Sequence, residues 1–159
     1  MRVDLGDVPC AGYASQQFDF PALHAQLSQA IRDLLDVMIE SAIAAEGFPD
    51  QGAFCIIIFV GHSDRVDTPG LTSEARRAQE LQISELRAES AQAFFFTEFV
   101  NRMLDRGLTI PADQASMTNV DLRTVACGSA DLVHLVPSDE QQRKDNRRVH
   151  FIGTAFTPD

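Results

Sequence analysis

The stretch Ile-Ile-Ile-Phe-Val-Gly-His-Ser-Asp at residues 56–64 decides the fold of this 159-residue chain. A short continuous apolar run that ends in turn-forming residues is typical of a strand buried on both faces. We therefore predict a central strand over residues 53–60. Asp64 follows at the carboxyl end of that strand, where sheets with helical crossovers commonly bind ligands.

The segment before this strand is predicted to supply one strand and one helix. Residues 1–12 are expected to form an irregular lead-in, and residues 13–20 a first strand that ends in Phe-Asp-Phe. Pro21 suits the first turn of a helix. Apolar residues then recur every three or four positions, so we expect this helix to continue to Gly47.

The segment after the central strand is predicted to form a long helix and two further strands. The helix spans residues 73–105 by its apolar spacing of four and by the glycine that follows it. Alternating patterns predict strands over 120–127 and 147–156, separated by residues 128–146 as mostly loop. The predicted order of elements is βαβαββ.

Composition and charge narrow the range of functions. The net charge of −10, from 13 basic and 23 acidic residues, argues against a nucleic-acid partner. Cys10, Cys55 and Cys127 are far apart and form no paired motif, so we predict no zinc site and no cofactor, with the last two cysteines buried. No apolar run approaches the roughly 20 residues that cross a bilayer.

Four motifs occur in a characteristic order. They are Phe-Asp-Phe at 18–20, Gly-His-Ser-Asp at 61–64, Leu-Gln-Ile-Ser-Glu-Leu-Arg-Ala at 81–88 and Asn-Arg-Arg-Val at 146–149. Together they resemble the OmpA-like peptidoglycan-binding domain family. The resemblance implies an α+β sandwich of two long helices on a mixed four-stranded sheet. It covers residues 13–157 as one domain, with an insertion around 66–82.

The resemblance also implies a pocket for the diaminopimelate residue of the peptidoglycan stem peptide. In the family, the aspartate of the second motif receives the ammonium of the ligand, and the helix arginine pairs with its carboxylate. These positions are Asp64 and Arg87 in this chain. Asn146 and Arg147 are implied to help build the pocket, and Asp19 of the first motif is a further candidate.

The chemistry of the ligand supports this choice of residue types. A zwitterionic amino-acid end requires an anion and a guanidinium close together on rigid elements, and arginine offers a carboxylate two parallel donors that lysine cannot reproduce. Two alternatives remain at this point. Arg77, in the similar run Ser-Glu-Ala-Arg-Arg-Ala at 73–78, could replace Arg87, although Arg76 and Arg77 also suit a solvated helix face. Arg87 could instead form a purely structural ion pair with Asp64.

The sequence therefore predicts a non-catalytic module that binds peptidoglycan and tethers an attached protein or complex to the cell wall. The alternative is an OmpA-like fold reused as a protein-interaction scaffold whose pocket is degenerate or occluded. His62 and the cysteines show no local signature of a nucleophile with its base. The family implies the cell envelope or periplasm, while the lack of an export-signal pattern leaves a cytoplasmic protein or an excised domain open.

Overall fold

A four-stranded mixed sheet and two long helices form the framework in a computed structural model that describes residues 1–158. The elements in chain order are β1 (Arg2–Ala11), α1 (Phe20–His24), α2 (Gln29–Gly47), β2 (Phe54–Gly61), α3 (Ser73–Asp105), β3 (Val120–Ala126), α4 (Glu140–Asn146) and β4 (Arg148–Phe156). Short 3-10 turns cover Pro49–Gln51 and Gln114–Ser116. The predicted α+β class, with two long helices on a mixed sheet, is confirmed.

The strands lie in the order β1-β4-β2-β3. Strand β4 pairs antiparallel with both β1 and β2, while β2 and β3 are parallel and connected through α3. A parallel pair requires such a crossover, which carries the chain back along the sheet. The register places Gly61 beside Val149, so the end of β2 and the start of β4 share one end of the sheet.

Strand β2 is buried on one face rather than on both. Cys55, Ile57 and Phe59 are fully buried in the core against α2 and α3, whereas Ile56 and Ile58 are only half-buried. The prediction of burial on both faces is wrong, because the two long helices cover a single face of the sheet. A continuous apolar run predicts the strand correctly, but it does not indicate whether one face or both faces of the sheet are covered by helices.

The first strand lies earlier in the chain than predicted. Residues 2–11 form β1, and residues 13–19 form a loop, so the predicted lead-in is an edge strand of the same sheet. The register shifts between Asp4 and Gly6, and Gly6 has a φ of 97°. This bulge interrupts the alternation of apolar residues that identifies a strand in the sequence.

Two helical segments also differ from the prediction. The predicted helix from Pro21 to Gly47 is divided, because Ser28 caps a separate α2 by accepting a hydrogen bond from the backbone N–H of Ile31. Helix α4 lies within the predicted 128–146 loop and is capped by Asp139. It consists of polar residues, so it lacks the apolar periodicity from which a helix is predicted.

The two long helices are joined by charges at the end of the sheet away from Gly61. Arg102 of α3 pairs with Asp36 at 2.5 Å and with Glu40 at 3.3 Å, and Arg106 pairs with the same Glu40 at 2.7 Å. These contacts fix α3 against α2 on the solvent side. Within residues 1–158, no helix combines the length and apolarity that crossing a membrane requires.

Candidate functional site

The end of β2 lies directly beneath α3. A Cβ atom at Gly61 would stand 1.8 Å from the backbone oxygen of Ser84, so only glycine permits this approach. The hydroxyl of Ser84 accepts a hydrogen bond from the backbone N–H of Gly128 at 2.9 Å. The glycine of the second motif and the serine of the third therefore act together to place the helix over the strand end.

Asp64 is held at this strand end by polar side chains of α4 and by Arg147, which follows α4. It is 6% exposed. Its Oδ1 accepts a hydrogen bond from Asn146 Nδ2 at 3.0 Å, and its Oδ2 accepts one from Arg143 Nη1 at 2.9 Å. Arg147 Nη2 lies 3.7 Å from the same Oδ2. Both carboxylate oxygens thus already have positively polarised neighbours.

Asn146 positions Asp64 and does not itself line the cavity. Its side chain is fully buried and also bonds both backbone groups of His134, with its Oδ1 accepting from the N–H and its Nδ2 donating to the carbonyl. Every polar atom of the amide is therefore used. Asn146 connects the loop before α4 to the carboxylate of Asp64.

Arg87 reaches the same region from α3, with 1% of its surface exposed. Its Nε donates to the carbonyl of Gln17 at 2.9 Å and its Nη1 to the carbonyl of His62 at 2.8 Å, while the guanidinium lies 4.7 Å from the centre of the Tyr13 ring. Burial lowers the pKa of Arg87 to about 10, so it stays charged at neutral pH. Its Nη2 donates to no other described residue.

A cavity of about 360 Å³ separates the two predicted ligand-binding residues. Its wall is formed by Ser15, Gln16, Ser63, Asp64, Arg65, Val66, Asp67, Thr68, Ile83, Arg87, Glu140, Arg143 and Arg147. Two features mark it as unusual. Gln16 has a φ of 60°, a backbone conformation that residues other than glycine rarely adopt. Ser63 Oγ is buried with no hydrogen-bond partner among the described residues.

The predicted residues divide into those that the structure brings together and those that it does not. Asp64, Arg87 and Arg147 line the cavity, and Asn146 supports it. Asp19 is exposed at the start of α1 and lies outside the wall. Within the described chain, Arg87 donates to backbone carbonyls and forms no ion pair with Asp64, so the purely structural pairing is not observed.

Two side chains are placed differently from the expectation. Because Arg147 and Arg148 alternate in the sequence of a predicted strand, at most one is expected to face the cavity and the other to be solvated. Arg148 is instead 5% exposed, because it donates to Asp131 and to His150. Cys127 is half-buried rather than buried, since it lies just beyond the end of edge strand β3. His62 is packed, with its ring 5.0 Å from that of His150, and burial lowers its pKa to about 4.

The contribution of Arg143 was missed in the sequence. This residue contacts both Asp64 and Asp67 at 2.9 Å. Its spacing of three from Asn146 places both side chains on one face of a helix, but α4 itself was not predicted. Among residues 1–158, no cluster of three or more histidine, cysteine or acidic side chains is arranged to hold a metal ion.

Comparison with known proteins gives similarities in structure only. No protein-family model and no curated protein sequence matches this chain. The cell wall anchor of the T6SS from Pseudomonas aeruginosa is similar with 17% identity and a TM-score of 0.45, over 96% of this chain and 81% of that one. The peptidoglycan-associated lipoprotein from Burkholderia pseudomallei has 19% identity and a TM-score of 0.41, over 76% and 77%.

A third similar structure is the OmpA-like domain of FopA1 from Francisella tularensis, with 10% identity and a TM-score of 0.44 over 95% of this chain and 72% of that one. OmpA-like and peptidoglycan-associated domains are thus among the structures that this chain resembles, as its four motifs predict. These similarities assign no residue of this chain to a ligand.

Proposed function

We propose that this chain is a non-catalytic binding domain that holds the peptidoglycan stem peptide through its diaminopimelate residue and tethers an attached protein to the cell wall. The observation that carries the proposal is a cavity with Asp64 and Arg87 on its wall, each fixed on a rigid element. Such a module would work in the cell envelope. The order of the four motifs supports the same ligand.

The free donor of Arg87 is the proposed receptor for the ligand carboxylate. Nε and Nη1 are occupied by the carbonyls of Gln17 and His62, which leaves Nη2 as the group that can bind a ligand without breaking an existing contact. Because the guanidinium is buried, a carboxylate there gains a charge-assisted hydrogen bond in a weakly screened environment. Ser63 Oγ adds an unpartnered hydroxyl to the same cavity wall.

Asp64 is the proposed receptor for the ligand ammonium, but it is not free. Arg143 already donates to its Oδ2, so the incoming ammonium shares that oxygen or displaces Arg143, which retains its second contact to Asp67. Loss of either receptor charge is expected to cost ~2–5 kcal/mol of binding if its partner is left buried and unpaired.

The same contact favours a second candidate function. A carboxylate that is neutralised by Arg143 and held by Asn146 is also what a pocket retained only for structure would contain. In that case the domain is a protein-interaction scaffold, and its partner would bind elsewhere on the surface. The segment 66–68 forms part of the cavity wall without filling the cavity, which keeps the ligand-binding candidate first.

Titration calorimetry with meso-diaminopimelate, together with a peptidoglycan pull-down, tests the proposal. We expect wild type to bind both, and Asp64→Asn and Arg87→Lys to lose at least tenfold in affinity, on the order of 1.4 kcal/mol. Arg123→Gln serves as the matched control, because Arg123 is exposed on β3 and lies outside the cavity.

Folding of each variant is verified by its thermal unfolding transition, since Asp64 and Arg87 are both buried. Retained binding in both pocket variants would contradict the assigned roles. An absence of wild-type binding to either ligand would overturn the proposal in favour of the scaffold function.

A further inference from the structure

A second groove lies beside the cavity and is rich in arginine. It encloses about 420 Å³ and is lined by Arg65, Val66, Asp67, Ser73, Arg76, Arg77, Glu80 and Ser129. Arg65, Val66 and Asp67 also belong to the wall of the first cavity, so the two spaces are adjacent. A ligand longer than a single amino acid that extends from the cavity past these three residues would reach the groove.

No acidic residue in the described part of the chain pairs with the three arginines of the groove. Within the described residues, the side chains of Arg65, Arg76 and Arg77 form no ion pair and no hydrogen bond, and the Nε of Arg76 is buried without an acceptor. In a chain with a net charge of −10, the groove is lined by three arginines against two acidic residues, Asp67 and Glu80. An anion is the ligand that such a groove favours.

The acidic residues of the groove are already engaged. Glu80 accepts hydrogen bonds from the backbone N–H of Val66 at 2.8 Å and from the hydroxyl of Ser129 at 2.5 Å. Asp67 is paired with Arg143. Within the described residues, neither carboxylate forms an ion pair with the three arginines, so their guanidinium donors stay available to a ligand. The first turn of α3, a helix of 33 residues, adds the positive end of its dipole at Ser73.

We propose that this groove is a second subsite, which receives a carboxylate of the same wall ligand beyond its diaminopimelate residue. The inference rests on the proposed function for the identity of the ligand. In a stem peptide, the D-glutamate residue that precedes diaminopimelate is linked through its side chain and so presents a free α-carboxylate. The site is then bipartite, with Arg87 and Asp64 binding one residue and Arg76 and Arg77 binding its neighbour.

Three ligands distinguish the two subsites by calorimetry. They are meso-diaminopimelate, the tripeptide L-Ala–γ-D-Glu–meso-diaminopimelate, and the same tripeptide with the D-glutamate α-carboxylate converted to an amide. Wild type is expected to bind the carboxylate tripeptide about fivefold more tightly than its amide, the size of two exposed charge contacts. The preference should disappear in the double variant Arg76→Gln, Arg77→Gln.

The matched control is Arg106→Gln with Arg123→Gln, which removes the same charge far from the groove. Arg106 lies at the opposite end of α3, roughly 50 Å from Ser73 by the helical rise, and Arg123 lies on β3. The control should keep the preference for the carboxylate. Both double variants should bind free meso-diaminopimelate as wild type does, because the first cavity is unchanged.

The failures of the two proposals are separable. If wild type binds meso-diaminopimelate but treats the two tripeptides alike, the second subsite is overturned and the proposed function stands. If wild type binds none of the three, the proposed function is overturned. The groove is then tested with inorganic phosphate, by following the NMR signals of the arginine Nε–H groups: the absence of a shift at Arg76 and Arg77 overturns the subsite as well.

Discussion

The two ends of helix α3 use arginine in opposite ways. At its carboxyl end, Arg102 and Arg106 are paired with acidic residues of α2 and of α3 itself. Toward its amino end, Arg76 and Arg77 have no acidic partner within residues 1–158, and Arg87 donates only to backbone carbonyls there. The arginines at the carboxyl end are therefore ion-paired within the chain, whereas those toward the amino end have no acidic partner among the described residues. We call these the closed end and the open end of α3.

The difference shows how structural and binding arginines can be told apart. A surface network such as that of Arg102 with Asp36 and Glu40 contributes little to stability but leaves no unused charge. A buried guanidinium without a carboxylate costs solvation, and the fold retains it only if it makes other contacts or awaits a ligand. Both the cavity and the arginine-rich groove lie at the open end of α3.

The largest effect is expected from a methyl group at the open end. Gly61→Ala would place Cβ against the backbone oxygen of Ser84, and neither backbone segment can move without displacing strand or helix. We expect a loss of about 3 kcal/mol in the free energy of unfolding. Urea denaturation measures it, with Gly47→Ala as control, where Cβ meets only side-chain atoms of Leu108 and Met103. Equal effects in the two variants would contradict the tight contact.

Replacement of Arg87 compares the two ends directly. Arg87→Met leaves the buried carbonyls of Gln17 and His62 without their donor, so we expect a loss of about 2 kcal/mol in the free energy of unfolding. Arg102→Met breaks a partly exposed network and is expected to cost less than about 1 kcal/mol. The comparison fails if Arg102→Met proves the more destabilising in urea denaturation.

A fall in pH is expected to lower the stability of the fold through His62, which follows β2. Burial lowers the pKa of His62 to about 4, close to Arg148 and His150, with Asp131 and Asp7 nearby. The unfolded chain therefore binds more protons than the folded one below the ordinary histidine pKa, and stability present at pH 7 is lost as the pH falls from about 6.5 toward 4.

The contribution of His62 is isolated by substitution. We expect about 1 kcal/mol of the loss between pH 7 and pH 5.5 to vanish in His62→Gln. Urea denaturation of both proteins at the two pH values measures it. A loss of the same size in wild type and variant would assign the acid sensitivity to other groups.

The smallest effect is expected at the closed end. Arg106→Gln removes one contact of an exposed guanidinium with Glu40, which keeps its second partner Arg102. Both the unfolding transition and the binding of meso-diaminopimelate should match wild type within error. A clear loss of affinity would mean that the two ends of α3 are coupled.

The sequence predicted best the elements that have a regular apolar pattern. Helix α3 was predicted with its observed bounds, and β2, β3 and β4 to within one residue at each end. Strand β1 was missed because the bulge at Gly6 shifts the phase of its inward residues, and Pro9 is tolerated only because β1 is an edge strand. Helix α4 was missed because a polar helix is detectable only by its cap, Asp139.

The candidate site was predictable as a set of residues but not as a network. The motifs placed Asp64 and Arg87 on one cavity, whereas the shortest ionic contact of Asp64 is with Arg143, which belongs to the unpredicted helix. Charge pairs form between side chains from distant parts of the chain, so the spacing of residues along one sequence does not show which charges will pair. The roles of these residues in binding remain predictions.

The arrangement of the sheet has a mechanical consequence. Met1 and Thr157 bond to one another at the end of the sheet away from Gly61, whereas Arg147 of the cavity immediately precedes β4. A pull between a bound ligand and either terminus acts along the strands. The hydrogen bonds of β4 with both neighbours are then loaded together in shear rather than opened one after another, so the domain should resist tension better than its modest size suggests.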